Sequence, residues 1–255
     1  MLRSRPRVSR FAVCAVALIL ASSPLAIGVS THWSYEGASG PGTWGSLDKK
    51  YRSCAQGKAQ SPIAISDASA IRTELPPIEF HYKSSPLKII DNGHTIQIAY
   101  EPGSFITVGH RQYALVQFHF HRPSEEQVDG RRYEMVAHLV HQDAKGRLAV
   151  VAVLLTAGSA NRLIGLLWSD LPKTQETETV ANLKIDLSDL LPTNRAYYAY
   201  PGSLTTPPCS EGVSWYVLRD AVSVSADQIA RFAARYSMNA RPLQPLNGRQ
   251  VRTTE

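Results

Sequence analysis

Short apolar runs, separated by prolines, glycines and polar clusters, recur along most of this chain. The runs are rich in β-branched and aromatic residues, which favour strands over helices. They cover residues 87–90, 95–100, 113–121, 135–140, 148–155 and 213–218. This spacing predicts a fold that is mainly β.

Helical periodicity is confined to two stretches, residues 159–171 and 225–236, and Ser225 is a suitable cap for the second. The length alone allows one large domain or two small ones. No internal repeat, low-complexity run or linker divides residues 31–255. We therefore predict a single domain over residues 31–255, mainly strand with a few short helices.

One strand-like run carries chemistry as well as structure: Gln117, Phe118, His119, Phe120 and His121 follow one another. Side chains alternate between the two faces of a strand, so both imidazoles leave one face. Both phenylalanines leave the opposite face and enter a core. Two histidines spaced in this way can bind a metal together.

A third histidine, His138, lies in the apolar run 135–141, which is separated from the first run by a segment that contains Pro123 and Gly130. The two runs could pair as antiparallel neighbours and bring the three imidazoles together. Three neutral imidazoles with an open fourth position are typical of a catalytic zinc site. The alternative is half-buried histidines with ordinary hydrogen bonds, and the motif alone leaves both open.

The N-terminal residues 1–30 have the features of a secretory signal. An arginine-rich start precedes the apolar run 11–20, and small residues follow at 21–23. We predict cleavage within residues 21–31 and a periplasmic or secreted protein, with an uncleaved anchor as the alternative. No other apolar stretch is long enough to span a membrane.

The leader also changes the charge balance. The formal net charge is +6, but residues 1–30 hold four arginines and no acid, so the remainder carries 6 − 4 = +2. That charge is too small to indicate a nucleic-acid partner. Cys14 lies in the leader, which leaves Cys54 and Cys209. In an exported chain this pair indicates one disulfide, with two buried thiols as the alternative.

Three further segments hold candidate chemical groups. His94 ends the turn signal 91–94 and is either an exposed turn residue or a proton carrier. Glu125 closely follows the histidine pair and could be a ligand, an orienting group or part of a solvated loop. Thr205 lies in the proline-stiffened segment 203–208, where a hydroxyl has little orientational freedom.

Together these motifs resemble the α-class carbonic anhydrases, from about residue 32 to residue 251. The blocks that carry the resemblance are His32-Trp33-Ser34-Tyr35, Gln60-Ser61-Pro62-Ile63, Asn92-Gly93-His94, Gln117-Phe118-His119-Phe120-His121, Ser124-Glu125, His138-Leu139-Val140-His141, Tyr200-Pro201-Gly202-Ser203-Leu204-Thr205-Thr206-Pro207-Pro208 and Arg241-Pro242-Leu243-Gln244-Pro245-Leu246-Asn247. The leader and the pair Cys54 and Cys209 resemble the exported bacterial members, in which those positions form a disulfide. The resemblance implies a single domain built on a large central, mostly antiparallel twisted sheet.

The resemblance also implies an activity, the reversible hydration of carbon dioxide to bicarbonate and a proton by a zinc-dependent lyase. The zinc ligands would be His119, His121 and His138. Thr205 and Glu125 would orient the zinc-bound hydroxide that attacks carbon dioxide. His94 would carry the released proton to solvent.

The implied pocket has an apolar and a polar side. The apolar wall for carbon dioxide would be formed by Val140, Leu148, Val150, Leu204, Val213 and Trp215. The polar side would be formed by Tyr35, Asn92, Gln97 and Thr206. Gln117 would hydrogen-bond the outer nitrogen of His119. The implied partners are carbon dioxide, bicarbonate, inhibitory anions and sulfonamides, and the protein would be a monomer or homodimer without a stable membrane anchor once the leader is cleaved.

The chain departs from the family pattern near His138. The family usually has a glutamate two residues before this ligand, bonded to its outer nitrogen, and here Val136 stands there. Glu134 lies roughly 13 Å from His138 along an extended strand and cannot substitute. We expect water or a backbone carbonyl in that role.

Two other departures flank the same site. Glu126 stands where many members have a histidine and adds an acid near the site, and Arg122 stands where an aromatic residue is common.

Two alternative functions are also consistent with the sequence. The first is a carbonic-anhydrase-like binding module with little catalysis. The second is a zinc hydrolase that acts mainly on esters.

Overall fold

The computed structural model describes residues 32–254, so the predicted leader of residues 1–30 and Cys14 lie outside the described residues. The α-helices are Trp44–Leu47 (α1), Ser53–Gln56 (α2), Arg162–Ser169 (α3) and Ala226–Ala233 (α4). Short 3-10 helices cover Gly37–Ser39, Lys49–Tyr51, Asp67–Ser69 and Leu187–Leu190. Across residues 32–254, none of the helices has the length and apolar character that a membrane span requires.

Strands make up most of the regular structure. They are Ala64–Ile65 (β1), Ile71–Arg72 (β2), Ile78–His81 (β3), Ser85–Asp91 (β4), Ile96–Ala99 (β5), Phe105–Val108 (β6), Arg111–His121 (β7), Gln127–Val128 (β8), Arg131–Arg132 (β9), Met135–Gln142 (β10), Leu148–Ala157 (β11), Thr177–Ile185 (β12), Tyr197–Ser203 (β13), Glu211–Leu218 (β14), Val222–Val224 (β15) and Arg252–Thr253 (β16). Five of the six predicted apolar runs lie within strands β4, β7, β10, β11 and β14, and the sixth, 95–100, extends one residue beyond β5 at each end.

One large sheet organises the domain. Its main path runs β12-β4-β5-β7-β10-β11-β14-β13-β16-β2. Off this path, β6 pairs with β7, β3 pairs with β6, and β15 pairs with β11. Nine of its pairings are antiparallel. The pairs β11·β14, β11·β15 and β16·β2 are parallel. The predicted single domain on a mostly antiparallel sheet is confirmed.

The two predicted helices are present but shorter than the patterns. Helix α4 begins after Ser225, whose hydroxyl accepts a hydrogen bond from the Gln228 N–H at 3.2 Å. Helix α3 is capped by Asn161, which accepts a hydrogen bond from the Ile164 N–H at 3.0 Å. The pattern placed the start of that helix at residue 159, since apolar spacing does not distinguish one polar cap from the next.

The sheet separates two apolar layers. On one side the fully buried Phe118 and Phe120 join Trp168 of α3 and Phe232 of α4. On the other side Val136 belongs to a second buried cluster that includes Ile63 and Trp215. Because neighbouring residues of a strand face opposite ways, the histidines of β7 share the side of the second cluster. The site therefore lies on the face of the sheet opposite helices α3 and α4.

A third, smaller cluster surrounds Trp44 and includes the two cysteines. Cys54 and Cys209 form a disulfide with an S–S distance of 2.10 Å, so the predicted pairing is confirmed. The bridge joins residues 155 positions apart and ties α2 to the chain just after β13. It lies close in sequence to the segment that carries Thr205.

Candidate metal centre

Strand pairing brings the three histidines together. As predicted, β7 and β10 are antiparallel neighbours, and His138 lies directly opposite His119. His121 follows two residues along β7 on the same face. The candidate ligand nitrogens of the three residues all lie within 4.8 Å of one another.

Each imidazole has a partner on the nitrogen that points away from this cluster. His119 donates from Nδ1 to Oε1 of Gln117 at 2.9 Å. His121 donates from Nδ1 to the backbone oxygen of Asn239 at 2.7 Å. These bonds assign the proton to the outer nitrogen and leave Nε2 of both rings free to bind a cation.

The outer nitrogen of His138 has a carboxylate partner. Nε2 of His138 lies 3.2 Å from Oε1 and 3.4 Å from Oε2 of Glu126, with hydrogen-bond geometry toward Oε2. The expectation of water or a backbone carbonyl at this position was wrong, because the loop between β7 and β8 brings Glu126 to this nitrogen. Val136 is fully buried in the second apolar cluster.

The chemistry of this donor set fits zinc. Burial lowers the pKa of His119 and His138 well below the ordinary value, and that of His121 to about 4. All three rings are therefore neutral near pH 7, as metal binding requires. Nε2 of His121 is also a buried nitrogen without a hydrogen-bond partner among the described residues. Three neutral imidazoles with such a nitrogen are the donor set of a catalytic zinc ion.

Glu125 lies beside the ligands and is fully buried. Its Oε1 accepts a hydrogen bond from the Arg241 backbone N–H at 2.7 Å, and its Oε2 lies 3.6 Å from Nε2 of His121. Burial, and then repulsion from the Glu126 carboxylate, raise the pKa of Glu125 to about 8, and a hydrogen bond from Thr205 opposes this. A divalent cation nearby would favour the ionised carboxylate.

The segment that carries Thr205 is held by several connections. The Cys209 N–H donates to the Thr206 oxygen at 2.8 Å, and the disulfide joins Cys209 to Cys54. The Cys54 oxygen in turn accepts a hydrogen bond from Nη2 of Arg241 at 3.0 Å. Arg241 therefore connects the Thr205 segment to Glu125.

Two small cavities meet at the histidines. One, of about 110 Å³, is lined by Gln117, His119, His138, Val140, Val150, Leu204, Thr205, Thr206 and Trp215. Leu148 and Val213, which were predicted for the same wall, pack in the apolar cluster behind it. The other, of about 120 Å³, is lined by Trp33, Tyr35, Asn92, His94, Thr95, Gln97, Gln117, His119, His121 and Thr206. All four residues predicted for the polar side therefore lie on the second cavity.

His94 lies between the second cavity and an outer cavity of about 330 Å³. Its ring stacks on Trp33 with a centroid distance of 3.7 Å, and His32 lies 6.3 Å away. Asn92 fixes the turn by accepting hydrogen bonds from the N–H groups of His94 and Thr95, both at 2.9 Å. Burial, and then the charge of His32, lower the pKa of His94 from its ordinary value.

Asn239 was not predicted from the sequence. Besides accepting from His121, it accepts from the Arg122 N–H at 2.7 Å and donates from Nδ2 to the His94 and Phe120 oxygens, both at 3.0 Å. It therefore joins a candidate ligand, the turn that carries His94 and the end of β7. Its position shortly before the motif at Arg241 was the available signal, and nothing in the local pattern separates it from a surface asparagine.

Comparisons with known proteins agree with this geometry. The family model described as eukaryotic-type carbonic anhydrase matches residues 39–255. A carbonic anhydrase from Klebsiella pneumoniae is 45% identical over 239 residues, which cover 92% of this chain and 96% of that protein. A carbonic anhydrase from Neisseria gonorrhoeae is 43% identical over 251 residues, which cover 98% of this chain and 97% of that protein.

A solved structure extends the similarity to three dimensions. The complex of α-carbonic anhydrase from Thermovibrio ammonificans with the inhibitor sulfanilamide superposes with a TM-score of 0.85 at 40% identity. The match covers 88% of this chain and 99% of that one. The structural similarity therefore extends over most of this chain.

Proposed function

The chain belongs to the eukaryotic-type, or α, carbonic anhydrase family, and we propose that it hydrates carbon dioxide reversibly to bicarbonate and a proton with a zinc ion held by His119, His121 and His138. The observation that carries this proposal is the convergence of three neutral imidazoles beside an apolar cavity and a hydroxyl–carboxylate pair. Zinc supplies a nucleophile near neutral pH by acidifying water, a chemistry for which carbonic anhydrases are the standard example.

Thr205 and Glu125 orient the nucleophile in this proposal. The Thr205 hydroxyl donates its proton to the Glu125 carboxylate, which also accepts from the Arg241 backbone. A hydroxyl that donates in this way offers its lone pairs to the cavity. It can therefore accept a hydrogen bond from the attacking oxygen and direct that oxygen's free lone pair toward the substrate carbon.

The apolar cavity holds carbon dioxide. Val140, Val150, Leu204 and Trp215 line it together with the inner edges of two ligands, His119 and His138. An apolar wall excludes competing water from the side of attack and offers no hydrogen bond that would hold the charged product. The same wall therefore favours entry of the substrate and release of bicarbonate into the polar cavity.

His94 moves the proton in this proposal. The ring faces both the polar cavity and the outer cavity, so a proton received on the inner side can leave on the outer side. A pKa below the ordinary value keeps the ring neutral, and so able to accept a proton, down to slightly acidic pH. Its turn is anchored by Asn92 while the ring rests on Trp33.

We also propose that the protein acts in the periplasm or outside the cell and that sulfonamides inhibit it. The predicted leader and the disulfide support export. The Thermovibrio ammonificans relative was solved with sulfanilamide, and this chain has an apolar cavity beside the proposed zinc ligands. A sulfonamide would enter the apolar cavity and displace the substrate.

The decisive experiment compares the purified, zinc-loaded chain with a His119→Ala variant in a stopped-flow assay of carbon dioxide hydration. The original chain should lose its activity when a chelator removes zinc and regain it when zinc is restored. His81, an exposed histidine far from the cluster, provides the matched control variant His81→Ala. If the zinc-loaded chain is no faster than His119→Ala, the proposal is wrong.

A further inference from the structure

Glu126 occupies an unusual place for a carboxylate. Its side chain is fully buried, and its two oxygens lie 3.2 and 3.4 Å from Nε2 of His138. The backbone on both sides is fixed. Ser124 Oγ donates a hydrogen bond to the backbone oxygen of Glu126 at 2.8 Å, and Gln127 of β8 pairs with Ala64 of β1. The carboxylate is therefore held against His138 by the fold and not by a flexible loop.

This contact determines which nitrogen of His138 faces the site. With Nε2–H donating to Glu126, the lone pair of the neutral ring lies on Nδ1. Nδ1 is on the side of the cluster, 3.8 Å from Oε2 of Glu125. A carboxylate on the outer nitrogen of a metal-binding histidine fixes its tautomer and orientation and increases its basicity as a ligand.

Val136 explains why Glu126 is needed. It precedes His138 by two residues on the same strand face, where the family usually has the glutamate that bonds this nitrogen. Here the side chain is fully buried in the apolar cluster that also contains Val150 and Trp215. The strand therefore provides no acid, and the loop of residues 122–126 provides one.

We propose that Glu126 is the positioning residue for His138, and that Val136 and Glu126 form a compensated pair in which the carboxylate has moved from strand β10 to the loop before β8. The inference rests on the proposed function, because it concerns the orientation of a proposed zinc ligand. It assigns a role to two of the three positions at which this chain departs from the family pattern.

The two positions are coupled by charge. A glutamate at 136 in addition to Glu126 would place a third carboxylate in a buried region that already holds Glu125, and like charges in such surroundings repel strongly. An alanine at 126 without a glutamate at 136 would leave the outer nitrogen of His138 without its acceptor. Each single change is therefore harmful, and the two together restore one carboxylate.

The test measures zinc affinity by competition with a chelator. Glu126→Ala should weaken zinc binding by about 10- to 100-fold. Glu126→Gln, which keeps an acceptor oxygen and the side-chain volume, should lose less and serves if the alanine variant does not fold. The double variant Glu126→Ala/Val136→Glu should recover most of the loss, whereas Val136→Glu alone should bind zinc more weakly than the original chain.

Glu134→Gln is the matched control. Its carboxylate lies before β10 and accepts the Ala157 N–H at 3.1 Å, away from the ligands, so zinc affinity should not change. Nitrogen-15 NMR of the metal-free chain adds a readout that simple loss of packing would not produce. The His138 ring should be the Nε2–H tautomer in the original chain and in the double variant, and should become a tautomer mixture in Glu126→Ala.

Two results would overturn the inference: zinc affinity of Glu126→Ala equal to that of the original chain, or a double variant as weak as Glu126→Ala. Neither depends on catalysis, so the result is separate from the test of the proposed function. A chain that binds zinc through Glu126-positioned His138 but does not hydrate carbon dioxide would refute the function and retain the inference. If Glu126→Ala lost hydration activity but kept its zinc affinity, the inference would be refuted and the proposed function would stand.

Discussion

The two faces of strands β7 and β10 depend on different interactions: apolar packing on one face and specific hydrogen bonds to imidazoles on the other. On the apolar face, Phe118 and Phe120 are fully buried, and Phe120 packs with its ring centroid 5.0 Å from Trp168 and 6.2 Å from Phe232. These contacts depend on shape and area, and neighbouring side chains can share them. On the other face, each imidazole needs one particular acceptor at one particular nitrogen. The apolar face therefore tolerates exchange better than the metal face.

Two histidines of β10 show the difference most clearly. His138 lines the apolar cavity, with its outer nitrogen on Glu126. His141 follows a register shift after Val140, is fully buried, and lies with Nε2 2.9 Å from the Tyr82 hydroxyl. Burial lowers the pKa of both rings. A lowered pKa therefore does not distinguish a candidate ligand from a core histidine. The groups that contact each ring nitrogen distinguish them.

The largest change in the free energy of unfolding should come from a substitution on the apolar face. Phe118→Ala should lower the free energy of unfolding by about 3–5 kcal/mol, because it removes a fully buried ring and leaves a cavity. The zinc affinity of the folded protein should change by no more than roughly threefold, since the ring points away from the ligands. Urea unfolding and chelator competition measure the two quantities.

Val116→Ala is the control for Phe118→Ala, because Val116 lies on the same strand and is 46% exposed. Its effect on unfolding should stay within about 0.5 kcal/mol. A loss of zinc affinity in Phe118→Ala as large as its loss of stability would show that the two faces are not independent.

The next largest effect should be a loss of catalytic rate caused by a substitution on the face that carries the three histidines. Thr205→Val keeps the shape of the side chain but removes the hydroxyl that donates to Glu125, so kcat should fall by roughly 10²- to 10³-fold. The temperature of unfolding should change much less than in Phe118→Ala. Thr206→Val, the neighbouring substitution on the apolar cavity, should reduce kcat by less than Thr205→Val. Equal losses in both variants would contradict a special role for Thr205.

The sequence predicted the ligand face because the information is local. A strand period of two places His119 and His121 together, and the apolar run around His138 predicts the neighbouring strand. Apolar patterning also predicted six inner strands of the sheet, namely β4, β5, β7, β10, β11 and β14. It did not predict β12, which is rich in polar and charged residues, because an edge strand needs little apolar pattern.

The outer partners of the histidines were not predictable in the same way. The acceptor for His121 comes from Asn239, which lies 118 residues further along the chain, and the acceptor for His138 comes from a loop. Both positions depend on how the backbone turns between strands, which side-chain periodicity does not encode. Gln117 was assigned from the family resemblance, and its contact with His119 is local because it lies two residues away on the same strand face.

A smaller loss of rate should result when only proton transfer is impaired. His94→Ala should reduce kcat by roughly 10- to 100-fold at low buffer concentration, because the group between the polar and outer cavities is lost. Added imidazole should restore part of the rate, and kcat/KM for carbon dioxide should change little. His81→Ala, which removes an exposed histidine, should keep the original buffer dependence. A rate that does not depend on buffer in His94→Ala would exclude the shuttle role.

The smallest effect should appear in the pH dependence of stability and concerns the histidine of the apolar face. Burial lowers the pKa of His141 from 6.5 to about 3, so between these values the unfolded chain binds a proton that the folded chain does not. Stability is therefore fully present above about pH 6.5 and falls by about 1.4 kcal/mol per pH unit below it from this group alone.

In His141→Gln the slope of unfolding free energy against pH should be shallower by that amount, whatever the absolute stability of the variant. Urea unfolding of the metal-free chains between pH 6 and 4 measures it, because the three ligand histidines then contribute equally to both slopes. His81→Gln, with an exposed ring, should give the original slope. Parallel curves for His141→Gln and the original chain would mean that His141 accepts protons in the folded state. The contrast between a solvent-excluded histidine on one face and cation-binding histidines on the other would then be lost.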